Sequence, residues 1–203
     1  MSSCLTAHLL DIEATRALVG SNDEQLLATI RAEFARDLAR DDDWFSDQIE
    51  QGAPTALDAL TAVVRGGPYD AVDEHAFQYG YAYKRLCTLT GSFLDNSSFC
   101  PFRGDWLETV DEGLKALRIT AVSVADLGYY GGVPAGIPTY DLPRSGEWTH
   151  EECVAALEQF ERTKRDGHAP PLESYVVDAI RDVVGWLEHA AARPGYGVIG
   201  FVS

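Results

Sequence analysis

The sequence contains no CxxC pair and no HExxH, GxSxG or Walker A string. These absences remove the commonest signatures of zinc ribbons, zinc proteases, serine hydrolases and P-loop NTPases. No dinucleotide loop is expected either. Basic residues are scarce, 16 against 32 acidic, for a formal net charge of -16. Such a surface repels phosphate backbones and anionic headgroups, so nucleic acid and membrane surfaces are excluded as expected partners. Every apolar cluster is broken by Asp, Glu, Arg or Gly well short of the roughly 20 residues that cross a bilayer. The leading residues MSSCLTAHLL lack both the basic segment and the continuous apolar stretch of a signal peptide, and cytoplasmic placement is expected. The four cysteines, Cys4, Cys87, Cys100 and Cys153, are scattered, and reduced thiols are expected.

What is present suits a folded α+β protein. Hydrophobic residues make up 46% of the 203 and charged residues 24%, enough apolar content to bury a core. The length fits one domain over residues 1–203. Near the N-terminus, Leu5, Ala7 and Leu9 alternate with Thr6 and His8, which predicts a strand over residues 3–10 with one buried face. Asp11 is positioned to start a short helix that Gly20 closes. From Asp23 to Arg40, Leu26, Leu27, Ile30, Phe34 and Leu38 recur at helical spacing. Helices are also predicted over residues 43–51 and 54–65, the latter with Pro54 in its first turn, ending at Gly66-Gly67-Pro68.

Residues 75–90 fit either a strand or a helix, and a helix is predicted. A loop over residues 95–103 precedes a helical stripe from Trp106 to Leu117, and residues 119–124 are predicted as a short strand. Gly and Pro make residues 128–148 the longest irregular stretch. Thr149 and Glu152 form a capping box for a helix to about Lys164. Pro170-Pro171 is expected to start a last helix, stopped by Pro194-Gly195. The β-branched ending Gly197–Val202 predicts a strand pairing with residues 3–10. The expected architecture is a helix-rich single α+β domain whose small sheet includes the N-terminal and C-terminal strands.

The ending Trp186-Leu187-Glu188-His189-Ala190-Ala191-Ala192, followed by Gly197-Val198-Ile199-Gly200-Phe201, resembles the YfbM-like family of uncharacterised bacterial proteins, as does the central Leu89-Thr90-Gly91. Arg16–Ser21, Gln78–Tyr83 and Pro101–Gly104 resemble an actinobacterial-type subfamily of unknown function. The resemblance implies a single α+β domain and carries over no catalytic residue.

Candidate sites are few. His150 and Cys153 share a helix face at ligand spacing, but two ligands do not make a metal site, and neither metal nor cofactor is expected. Cys100, beside Pro101, becomes a nucleophile only if a histidine approaches it. The tyrosines at 79, 81 and 83 are read as core. Asp41-Asp42-Asp43, with Asp47 and Glu50, forms an acidic knot whose spacing does not match a calcium loop. The candidate binding residues are Tyr129 and Tyr130 in the long loop, Arg103 and Trp106 after the Pro101 turn, and Trp148. Function is expected to be non-enzymatic binding of a basic protein through the acidic surface, as in an immunity or regulatory module. The alternative is a small-molecule-binding protein or enzyme with a pocket lined by Tyr, Arg, Cys and His side chains. The sequence leaves oligomeric state open.

Overall fold

Strands from the two ends of the chain lie side by side at the centre of one antiparallel sheet. The computed structural model describes residues 2–129 and 131–203. Strand β1 (Leu5–Asp11) pairs with β4 (Tyr196–Val202), with Leu5 opposite Val202 and Asp11 opposite Tyr196. Strands β2 (Ser92–Leu94) and β3 (Arg144–Trp148) complete the order β2-β1-β4-β3. This is the expected α+β fold, with the terminal strands adjacent. The alternation read in β1 suggested one wet face, yet His8 is buried along with Leu5, Ala7, Leu9 and Leu10. The rings of Phe93 and Phe201 lie edge-on to the His8 ring at 5.9 and 6.5 Å and cover that face of β1. Strands β2 and β3 escaped the sequence reading because one is three residues long and the other is Arg-Ser-Gly-Glu-Trp, with little β-branched content.

The described residues group into two compact units. The first joins the segment ending at Ile12 with Thr90–Gly132 and Arg144–Ser203. Here the sheet packs with α7 (Trp106–Ala116), α8 (His150–Arg165) and α9 (Ser174–Ala191). The α9 stripe Val176, Ala179, Ile180, Val183 and Leu187 is buried at the spacing its sequence predicts. The two prolines precede that helix instead of opening it, and Glu173 stands at its N-cap. The capping box at Thr149 and Glu152 forms as read.

A 3₁₀ turn, Ala125–Gly128, lies directly on the sheet over Gly146 and Gly200, which face each other across β3 and β4. A β-carbon on Gly200 would come within 2.7 Å of the Leu127 side chain, and one on Gly146 would meet the Asp126 carbonyl. Residues 119–124 were expected as a strand, but side chains satisfy their amides. Gln159 Oε1 accepts from the N–H groups of Thr120 at 2.7 Å and Ala121 at 3.1 Å. Asp111 accepts from the amides of Val124 (2.6 Å) and Ala125 (3.1 Å) and from the Ser123 hydroxyl (2.7 Å).

Reduced thiols were expected throughout, and this is corrected: Cys4 and Cys100 form a disulfide, with α-carbons 4.4 Å apart. Reciprocal hydrogen bonds between Ser3 and Phe102 hold the two stretches together, an adjacency invisible at a separation of 96 residues. Cys87 and Cys153 are free and buried.

The second unit comprises Glu13–Leu89 and Val133–Pro143. The long helix expected from Asp23 to Arg40 is two helices, α2 (Glu24–Glu33) and α3 (Ala35–Trp44), meeting at Phe34. Then follow α4 (Ser46–Glu50), α5 (Ala56–Arg65) and, after a 3₁₀ turn at Asp73–His75, α6 (Phe77–Thr90). The opening helix α1 (Ile12–Arg16) is a single turn. Asp23 caps α2 by accepting from the Leu26 amide at 2.9 Å. Thr55, the residue after Pro54, caps α5, whose far end closes at Gly66 in the left-handed region. The ambiguous aromatic segment is the helix α6, with Tyr79, Tyr83 and Leu86 buried and Tyr81 half-buried.

Candidate functional site

The acidic knot gains its form from the junction of α3 and α4. Phe45 lies between those helices, and its ring stacks 4.9 Å from Phe77 and 5.1 Å from Tyr81 of α6. Two carboxylates of the run serve the fold. Asp41 pairs with Arg85 of α6, and Asp42 accepts from the Ala56 amide at 2.7 Å, capping the start of α5. Asp43, Asp47 and Glu50 are exposed, and their carboxylates have no hydrogen-bond or ion-pair partner among the described residues. Between them stands Trp44, 81% exposed. From Ala35 to Glu50 the chain carries six carboxylates and two guanidiniums, and Arg40 is paired with Asp37 at 2.8 Å. The result is an aromatic face set among carboxylates at a helix corner. Such a face attracts cations electrostatically through both the ring and the acids.

Sequence reasoning had singled out the carboxylates but not Trp44. The signal was available: Leu38 and Phe45 mark the inward side of this segment, and Trp44 lies outside that stripe. A large aromatic on the polar face of an amphipathic helix stands out without any structure.

Near the knot, Lys84 of α6 is half-buried, with its ammonium 5.9 Å from the Tyr81 ring centre. Burial pushes its pKa down to about 8, the neighbouring Arg85 charge adds to the depression, and Asp41 opposes it. His75 and Asp70 pair at 2.8 Å, and that contact holds the Asp70 carboxyl below its usual range.

Of the five residues expected to bind, the four that the structure describes are not gathered in one place. Trp148 is 2% exposed, its indole donating to the Ser123 carbonyl at 2.9 Å and its ring 6.1 Å from that of Trp186 in the core. Trp106 is half-buried, donates to the Ser98 carbonyl at 2.8 Å and stacks against Tyr175 at 5.6 Å. Arg103 is exposed in the turn before it. Tyr129 is 52% exposed, and its hydroxyl donates to Glu108 of α7 at 3.2 Å, a bond that raises the phenol pKa. Tyr130 lies outside the described residues. Thus α7 gathers Trp106 and Tyr129 along its first turns, while Trp148 is packed away.

The chemistry considered for the cysteines and histidines is also placed. Cys100 is spent in the disulfide. His150 Nδ1 is 3.2 Å from the Tyr196 carbonyl, and Cys153 is buried, its thiol pKa pushed up to about 12 chiefly by that burial. Among the described residues, no three His, Cys, Asp or Glu side chains gather as a metal-binding set. The string Gly195-Tyr-Gly-Val-Ile-Gly200 does spell G-x-G-x-x-G, a pattern the sequence reading had counted as absent. It runs into β4 and along that strand instead of turning into a helix N-terminus, so it lacks the geometry that holds a pyrophosphate. No described helix is long and apolar enough to cross a membrane.

Compared with known families, residues 1–203 match the profile described as Domain of unknown function (DUF7691). This chain belongs to that family. No curated protein and no solved structure matches it. For a DUF7691 chain the name brings no activity, so the functional reading rests on its own side chains: the Trp44 corner, the α7 turns and the cavity beside α9 described below.

Proposed function

We propose that this chain is a non-enzymatic binding protein that takes a basic protein partner on the corner of α3 and α4, in the manner of an immunity or regulatory module. The observation that carries the reading is Trp44, 81% exposed between unpartnered carboxylates. An indole left in water forgoes apolar burial that association can recover, and aromatic anchors of this kind dominate interface energies. A Lys or Arg of the partner would lie across the indole face with its charge met by Asp43 or Asp47. The net charge of -16 steers a cationic partner from a distance. The same proposal places the protein in the cytoplasm of a bacterium. The YfbM-like ending at Trp186–Phe201 supports that kinship. In a reducing compartment Cys4 and Cys100 would spend time as thiols.

The test is affinity capture from lysate of the source cell with immobilised wild-type protein and with the Trp44→Ala, Asp43→Asn, Asp47→Asn triple variant. The wild type should retain one basic protein that elutes as salt rises from 50 to roughly 300 mM. The triple variant should lose it. Equal retention by both proteins, or a partner indifferent to salt, sinks the proposal.

A further inference from the structure

Gly185 sits in the interior of α9, where glycine is less stabilising than alanine. Two physical reasons ordinarily offset that cost, a left-handed backbone or a neighbour too close for a side chain. Gly185 has neither: its φ is not positive, and a β-carbon built on it meets nothing within 4 Å. The contrast is Gly113 of α7, where a β-carbon would press to 2.7 Å from Val176. Instead, Gly185 lines a half-open cavity of about 390 Å³ beside α9. That volume lies within the range of small-molecule sites.

The walls come from Leu117 after α7, Phe160 of α8, Leu172 of the connecting segment, and Val177, Ile180 and Val184 of α9. Three charged or titratable side chains complete them: His168, Arg181 and Glu188. His168 is tied into the fold, its Nε2 donating to the Ala116 carbonyl at 2.9 Å, and Arg181 is paired on the surface at 2.7 Å with Asp178, a carboxylate one turn back on α9. The carboxylate of Glu188, exposed at the rim, has no hydrogen-bond or ion-pair partner among the described residues. An apolar recess edged by one uncommitted carboxylate, on a molecule of net charge -16, selects for a cation with a greasy body.

We propose that this cavity binds a small molecule with an apolar body and one cationic nitrogen, the body filling the space left open at Gly185 and the ammonium resting against Glu188. The site is independent of the Trp44 corner, and either can fail without the other. Calorimetric titration at pH 7 with 4-phenylbutylamine, 4-phenylbutan-1-ol and 4-phenylbutyrate tests it, because these share a body and differ in charge. The amine should bind with a Kd of roughly 0.1–1 mM, about threefold tighter than the alcohol and at least about fivefold tighter than the acid, as an exposed ion pair allows. Glu188→Gln should bring amine and alcohol level. Gly185→Leu should weaken the amine about tenfold with the near-UV spectrum intact. If that variant misfolds, Gly185→Ala serves: it should raise stability while weakening the amine about threefold. Absence of saturable amine binding, equal binding of all three probes, or affinity unchanged on filling position 185 overturns the proposal.

Discussion

Lys84 shows how one side chain's surroundings translate into a pH dependence of the whole fold. In the unfolded chain its ammonium holds its proton to the ordinary lysine value of 10.5, whereas in the folded protein burial lowers the pKa to about 8. Between those values the unfolded state binds more protons, so this group makes stability rise with pH from about 8 to about 10.5. Below pH 8 its full penalty is present. Cys153 acts in the opposite sense above pH 9, because its thiol stays protonated in the fold to about 12. Comparing wild type with Lys84→Met cancels that background. The variant should be more stable by about 1–2 kcal/mol at pH 7, and the gap should shrink steadily above pH 8 to a small fraction of that by about pH 10.5 in urea denaturation. A gap independent of pH would contradict the depressed lysine. At this scale the sequence was partly legible. It marked the acidic knot, but the lowered pKa of Lys84 comes chiefly from burial by the folded chain, which no spacing rule supplies.

Among the elements, the sheet depends on a contact that only glycine permits. The 3₁₀ turn at Ala125–Gly128 rests on β3 and β4 where Gly146 faces Gly200, and a methyl group at Gly146 would collide with the Asp126 backbone. Gly146→Ala should therefore cost about 1–3 kcal/mol, as overpacking does, while Gly136→Ala, in open space but with positive φ, should cost less. Chemical denaturation of the two variants checks the order, and an equal or smaller loss at Gly146 would contradict the contact. The helices with strong apolar stripes, α7 and α9, could be read from spacing alone, and α8 from the capping box at Thr149. Strand β3 could not, since Arg-Ser-Gly-Glu-Trp forms a strand through pairing with β4 rather than through propensity. The break between α2 and α3 at Phe34 was hidden because the apolar stripe continues through it.

For the whole molecule, three long-range facts matter: the pairing of the terminal strands, the Cys4–Cys100 bond and the net charge. The first was legible from composition at both ends, and the third from counting; the second required knowing that Ser3 and Phe102 meet. Replacing both bonded cysteines with serine should lower stability by about 2–4 kcal/mol. Alkylation under non-reducing, denaturing conditions should label only Cys87 and Cys153, and four adducts without reductant would contradict the bond. The central claim is that the acidic corner around Trp44 recognises a basic protein. The most direct measurement is the affinity of the captured partner for wild type and for Trp44→Ala, titrated at salt concentrations from 50 to roughly 300 mM. The account predicts a loss of about 2 kcal/mol or more for Trp44→Ala, and affinity that falls as salt rises. Identical affinities for the two proteins across that range would contradict it.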